Sequence, residues 1–397
     1  ICVYDSSANG QPKYSNDGGQ IDCKELKNYN DIFLPAQQRG KWIQYATGDG
    51  YTYNVADAQL SYNPNKLDFF RRRLLYIKPE KIIVLDHIHL NNTATRQRDI
   101  KWIAHFANRP DISGAVTRTE VANHIITYNG TDYTAANGNG NIALRTLIPA
   151  NSNTTLIGGT GYEYWVDGKN YPPNSTPDMS FYTPGSWRIE VRPDAVPADG
   201  NVVYLHTIDV GDNTTPAKAG GIAFQNTISV GTDWENVLYF FAADGGVEKD
   251  YQVFNEVDGG RTVSVYAADL VPDQYSIKID GTIVTMLNTD ANGVLQTAVQ
   301  IPSGSHTIEI TKDCSTIPLQ ATGATHIIPD GNTTTYVALA GMNDYLWDIQ
   351  PSESYTKVQK HDNELLVTWG ANYVGKAGIS YKTQNDCGWS SAFSPDL

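Results

Sequence analysis

Tyr14, Asn16, Asp17 and Gln20 gather a phenol, two amides and a carboxylate in one short stretch that also contains Gly18-Gly19. Such groups can hydrogen-bond sugar hydroxyls; the same string also makes an ordinary Asn-Asp-Gly-Gly turn. Arg71, Arg72 and Arg73 form the one basic cluster. On a strand, Arg71 and Arg73 share a face, and their guanidinium forks suit carboxylates. Against this stands a solvated edge, or salt bridges to the many carboxylates of the chain itself. His87 and His89, two apart, could hold a metal with a third ligand from elsewhere, or could simply pack. Asn288-x-Asp290-x-Asn292-Gly293 starts like a calcium loop, but position twelve is Val299 where a Glu is needed, so it reads as a turn. No Gly-x-Ser-x-Gly, P-loop or HExxH string occurs, and no cofactor is evident. A divalent metal shared with residues upstream of Ile1 stays open.

The elements that would carry these residues are strands. Ile100, Trp102, Ala104 and Phe106 alternate with Lys101, Ile103 and His105. Trp187, Ile189 and Val191 alternate with Arg188, Glu190 and Arg192. Each run has an apolar face to bury and another for solvent or a cleft. The run Lys81–Leu90 is more continuously apolar, as in a strand covered on both faces. Asn129-Gly130, Asp167-Gly168 and Asp280-Gly281 predict tight hairpin turns. No amphipathic helix of a dozen residues stands out. The expected class is all-β: a large antiparallel β-sandwich over residues 1–246, then two small β-sandwich modules over 247–312 and 313–397. The first break is placed at Ala243-Asp244-Gly245-Gly246 and the second in the linker-like Asp313–Ala324.

Composition agrees. The chain has 397 residues, with Gly 34, Tyr 24 and Trp 8 against Met 3, which suits half-buried pleated strands. Its net charge of -14 argues against a nucleic-acid partner, and no apolar run is long enough for a membrane helix. Cys2, Cys23, Cys314 and Cys387 include no CxxC pair. Their even number suggests disulfides in an oxidising compartment, buried free thiols being the alternative. The expected pairing joins Cys2 with Cys23 and Cys314 with Cys387. Asn-x-Ser/Thr triplets, as at Asn91 and Asn129, fit a secreted or cell-surface protein. Starting at Ile1 inside a strand-like run, the sequence reads as a piece of something longer.

Five strings in order resemble the C-terminal β-sandwich region of heparinase II/III-like polysaccharide lyases: Val3–Gln20, Phe70–Ile88, Ile100–Phe106, Gly185–Pro193 and Val202–Ile208. Residues 247–312 look like the small β domain that often follows it. Tyr345-x-Trp347, Leu365–Gly370 and Asn385–Gly388 resemble the PKD-like or Ig-like modules of secreted Bacteroidota proteins. The resemblance implies β-elimination on an acidic polysaccharide, with the uronate carboxylate neutralised, the C5 proton abstracted and the leaving oxygen protonated, commonly by His and Tyr. It also implies an N-terminal helical toroid, absent here or present as a processed partner chain, that supplies much of the catalytic set. It places Tyr14, Asn16, Asp17 and Gln20 near the cleft, and reads His105 and His206 as packing. The expected function is therefore the C-terminal portion of a secreted lyase, without a full catalytic set of its own. The alternative is a non-catalytic extracellular protein that binds glycan or builds a surface assembly.

Overall fold

The computed structural model describes residues 1–3, 39–62, 64, 66–91, 100–166, 168–172, 185–247, 253–312, 321–322, 333–338, 344–372, 377–385 and 388–389. They form strands, turns and two short 3-10 turns, with no α-helix among the described residues. The protein is all-β. It divides into two compact units, Ile1–Thr311 and Lys312–Leu397.

The first unit stacks four sheets. The outer sheet has six strands in the order Cys2–Val3, Ile100–Phe106, Trp187–Pro193, Ser152–Gly158, Ile125–Tyr128 and Val116–Val121. The central sheet has eight: Lys41–Gly48, Tyr51–Asp57, Leu67–Ile77, Lys81–Leu90, Asn201–Asp212, Gly140–Ile148, Asp132–Asn137 and Asp111–Ile112. Every pairing in these two sheets is antiparallel. A third sheet runs Ile222–Gln225, Ser229–Trp234, Val237–Ala242, Arg261–Ala267 and Leu295–Ile301. A fourth holds Val253–Asp258, Ser305–Lys312, Gln274–Ile279 and Thr282–Asn288.

Alternation along each strand builds the layers, because successive side chains point to opposite faces. In Lys81–Leu90, Ile88 and Leu90 pack toward the outer sheet with Trp102, Leu156 and Ile189. Ile83 and Leu85 pack the other way, with Val230, Trp234 and Phe241 of the third sheet. Leu238, Phe240, Val263 and Val265 in turn face Tyr275, Ile277, Ile308 and Ile310 of the fourth. The continuous apolar run at Lys81–Leu90 is thus a strand with a core on each side.

Turn chemistry is mixed. Asp280 and Gly281 both have positive φ, 49° and 76°, and close a hairpin between Gln274–Ile279 and Thr282–Asn288, as a type I′ turn does. Gly168, at φ 84°, closes the small hairpin Trp165–Val166 with Lys169–Asn170. Asn129-Gly130 is no hairpin: it carries the chain from Ile125–Tyr128 in the outer sheet to Asp132–Asn137 in the central one. Asn129 Oδ1 accepts from the Ala115 amide at 2.8 Å, and a Cβ on Gly130 would collide with the Ser113 carbonyl. The break at Ala243–Gly246 is a turn, and strands on both sides of it share the third sheet through the parallel pair Val237–Ala242 and Arg261–Ala267.

The second unit has a four-stranded sheet (Ala321–Thr322, Thr333–Ala338, Glu364–Trp369, Tyr355–His361) and a three-stranded one (Asp344–Gln350, Gly378–Asn385, Gly388–Trp389). Its core gathers Tyr336, Trp347, Leu365, Val367, Trp369 and Tyr381.

Candidate functional site

The solvent face of the outer sheet forms a groove of about 840 Å³. Its floor follows from the two alternating runs. Ile100–Phe106 buries Trp102 and Phe106 below and turns Lys101, Ile103 and His105 outward. Trp187–Pro193 buries Ile189 and Val191 and turns Arg188, Glu190 and Arg192 outward. Register brings them side by side: His105 lies opposite Arg188, and Ile103 opposite Glu190. On the other flank Thr155 faces Glu190 and Asn153 faces Arg192. Thr127 then bonds Thr155 hydroxyl to hydroxyl at 3.1 Å.

Glu190 is the centre of this floor. It is 4% exposed and takes Lys101 Nζ at 2.7 Å, Arg188 Nε at 2.9 Å and Arg192 Nη2 at 3.3 Å. Burial would raise its pKa, but Lys101 and Arg188 outweigh that and hold it down at about 2. Three cations therefore surround one anion at the centre of the floor, while the lining as a whole sets Lys101, Arg118, Arg188 and Arg192 against Glu120, Glu163, Glu190 and Asp194. Towards the rim, Arg118 and Glu120 pair with each other at 3.2 Å, and Asp194 accepts from Asn153 at 2.6 Å.

One wall of the groove is aromatic. Tyr164, Trp165 and Tyr171 line it, carried by the 165–170 hairpin and its flanks. The Tyr171 amide bonds the Tyr164 carbonyl at 3.1 Å, and Asn170 Oδ1 accepts from the Tyr164 amide at 2.8 Å. Trp165 packs on Tyr162, ring centroids 4.7 Å apart, and Tyr162 stacks on His124 at 4.3 Å. Arg188 Nη2 donates to the Trp165 carbonyl, so the floor holds the wall.

His105 lines the groove rather than the sandwich core, against the packing role expected for it. Partial burial and the neighbouring Arg188 lower its pKa. The packing reading fits His206, which is fully buried and stacks on Trp102 at 3.8 Å. Burial pushes its pKa well below the usual value.

Arg71 and Arg73 lie far from this floor in kind: they face the third sheet. Arg73 is fully buried, donating to Asp269 Oδ2 at 2.8 Å and to the Gly245 and Gly246 carbonyls at 2.6 Å each. Tyr53 OH bonds the other Asp269 oxygen. Arg71 bonds the Gly245 carbonyl at 2.8 Å. These contacts tie the turn at residue 245 to the central sheet. Arg72 points to the opposite face and forks onto Asp86 at 2.6 and 2.7 Å. His87 is buried against the Ala243 carbonyl at 2.9 Å, while His89 bonds Asp68. Among the described residues no group of three His, Cys, Asp or Glu could hold a metal ion. Asp290 of the calcium-like string accepts from the Asn292 and Val294 amides and from Tyr51 OH, which makes it a turn docked on the central sheet.

Tyr14, Asn16, Asp17, Gln20, Cys23, Cys314 and Cys387 lie outside the described residues, as does the side chain of Cys2. Lys101, Arg188, Glu190, Arg192 and the aromatic hairpin were not singled out as site residues. The signal was present: two charged runs at strand spacing, and a Tyr/Trp-rich stretch around a two-residue turn.

No family model matches the chain, and no curated protein matches it. Among solved structures, it is similar to heparan sulfate lyase HepC from Pedobacter heparinus, at 12% identity over 49% of this chain and 26% of that one, with a TM-score of 0.28. A mutant of the same lyase gives 13% identity over the same shares and a TM-score of 0.30. A heparinase III gene product gives 8% identity over 66% of this chain and 27% of that one, with a TM-score of 0.26. The chain thus spans about a quarter of the length of these structures.

Proposed function

We propose that the chain is the β-sheet portion of a polysaccharide lyase acting on a uronate-bearing glycan, and that its own part is to hold the acidic chain. The observation that carries this is the groove floor. Lys101, Arg188 and Arg192 surround a single buried Glu190 beneath an aromatic wall. A carboxylate laid there meets fixed cations that need no rearrangement, and partial desolvation strengthens the attraction. The five strings that resemble the lyase sandwich support the same reading.

β-Elimination needs a carboxylate neutraliser, a base and an acid within hydrogen-bond reach of one sugar. The floor supplies cations, and His105 brings an imidazole to the groove. Among the described residues no tyrosine is hydrogen-bonded to His105, so base and acid are not assembled as a pair. Cleavage then needs groups beyond the described residues.

The test uses the intact chain with alginate, hyaluronan, heparan sulfate and glucuronan. Affinity electrophoresis reads binding, and ultraviolet absorbance of the unsaturated uronate reads cleavage. Retardation without steady product is expected, and Lys101→Ala should reduce the retardation. Steady product lost in His105→Ala would show a complete catalytic site in this chain and overturn the holding role. No retardation by any of the four glycans would overturn the reading altogether.

A further inference from the structure

We propose that the 165–170 hairpin, with Tyr164 and Tyr171 beside it, is a sugar-stacking wall, and that Arg188 is the positioning residue that sets this wall against the cationic floor. This rests on the glycan-holding reading and adds where the sugar ring lies and what fixes it.

Three observations carry it. First, the wall presents rings and an aliphatic side chain to solvent: Tyr164 is 40% exposed, Val166 44% and Tyr171 57%, with Lys169 Nζ 5.1 Å from the Tyr171 ring centroid. The C–H faces of a pyranose ring are weakly apolar, and an aromatic face carries the complementary negative quadrupole. Second, the wall is prearranged. Its inner ring, Trp165, stands on the ladder of Tyr162 and His124, and His124 Nδ1 is itself fixed to the Gly158 carbonyl at 2.9 Å. An aromatic surface held this way loses little further freedom when a ligand covers it. Third, one guanidinium joins wall to floor. Arg188 sends Nη2 to the Trp165 carbonyl and Nε to Glu190. The distance between the stacking rings and the cations around Glu190 is therefore set by a side chain that is itself 11% exposed. A hexuronate residue presents both features together, a C–H face and a carboxylate, and would meet wall and floor at once.

All three cations bond Glu190, but only Arg188 also reaches the wall, through the Trp165 carbonyl. Arg188 therefore acts on the sugar through Trp165.

The experiment is calorimetric titration of the intact chain with oligosaccharides of glucuronan, hyaluronan, heparan sulfate and alginate. Tyr171→Ala should weaken binding about tenfold, the scale of truncating an aromatic anchor, and Tyr171→Phe should restore it, since the ring rather than the hydroxyl is used. Arg188→Lys keeps the charge but loses the fork. It should weaken binding while leaving the dependence on ionic strength as in the unsubstituted chain, whereas Lys101→Ala should flatten that dependence. If the unsubstituted chain binds, and Tyr171→Ala and Arg188→Lys bind as well as it does, the wall and its positioning are overturned while the groove reading stands. If Arg188→Lys also changes the ionic-strength dependence, Arg188 touches the acidic group directly and the positioning role falls. If the unsubstituted chain binds none of the four, the groove reading itself has failed.

Discussion

At Glu190 three cations converge on a carboxylate almost withdrawn from water. Its pKa, about 2 when folded, lies below the ordinary carboxylate value. A depressed acid stabilises the fold above its unfolded pKa, and that contribution is lost as pH falls through the folded value. The window here runs from the ordinary range near pH 4.5 down to about 2, and the gap corresponds to roughly 3 kcal/mol. Denaturant melts of the first unit should therefore weaken across that window. Glu190→Gln should flatten the dependence and lower stability at pH 7, because it leaves three partly buried cations without their anion. An unchanged pH profile in that variant would remove Glu190 from its central place. How far such a site can be read from residues alone depends on neighbours. Arg188, Glu190 and Arg192 are legible as one outward row, and so are Lys101, Ile103 and His105. That the two rows touch is a matter of strand pairing across some eighty intervening residues, which no local spacing encodes. Arg71 and Arg73 show the converse. Their shared face was legible, but whether it met solvent or another sheet was not, and the third sheet covers it.

Strands, in contrast, announce themselves. Period-two alternation identifies Ile100–Phe106 and Trp187–Pro193, and the unbroken run Lys81–Leu90 identifies a strand with two covered faces. Turns were less legible, because the same dipeptide can close a hairpin or carry the chain between sheets. Asp280-Gly281 does the first and Asn129-Gly130 the second. The turn at 243–246 looked like a domain break because it is rich in breakers. A parallel pair with a crossover between its strands hides from a linear reading, so the shared third sheet was not foreseen. Arg73 is the pin of that arrangement, reaching from the central sheet to Asp269 and to the carbonyls of residues 245 and 246. Arg73→Met should cost about 3–5 kcal/mol, since it strands a buried carboxylate. Arg71→Met, half-buried and bonded to one carbonyl, should cost clearly less. Urea midpoints measure both; equal small losses would mean that the buried pair contributes little to joining the layers.

The two units have separate cores, one drawn from residues 336–381 and the others from within 3–310. Removing Thr316–Leu397 should leave the main calorimetric transition nearly unchanged and delete a smaller one. A large drop in the main transition would mean that the terminal unit supports the first. Within the first unit the sheets are not separable in this way, because the central sheet serves two cores and the third sheet serves two. Contacts that close the stack span most of its length. Tyr51 OH bonds Asp290 at 2.9 Å across 239 residues, and Gln44 reaches the Asn292 carbonyl across 248. The consequence appears during synthesis. A ribosome adding about 5–20 residues per second needs roughly ten seconds or more to go from the Tyr51 codon to that of Asp290. Until residues 222–242 have been made, the face of the central sheet bearing Leu75, Ile83 and Leu85 has no strand of the third sheet to cover it, and the contacts at Asp290 and Asn292 close later still. The nascent chain must carry an open apolar surface until the third sheet emerges, which makes it a natural client for whatever shields unfinished proteins on their way out of the ribosome.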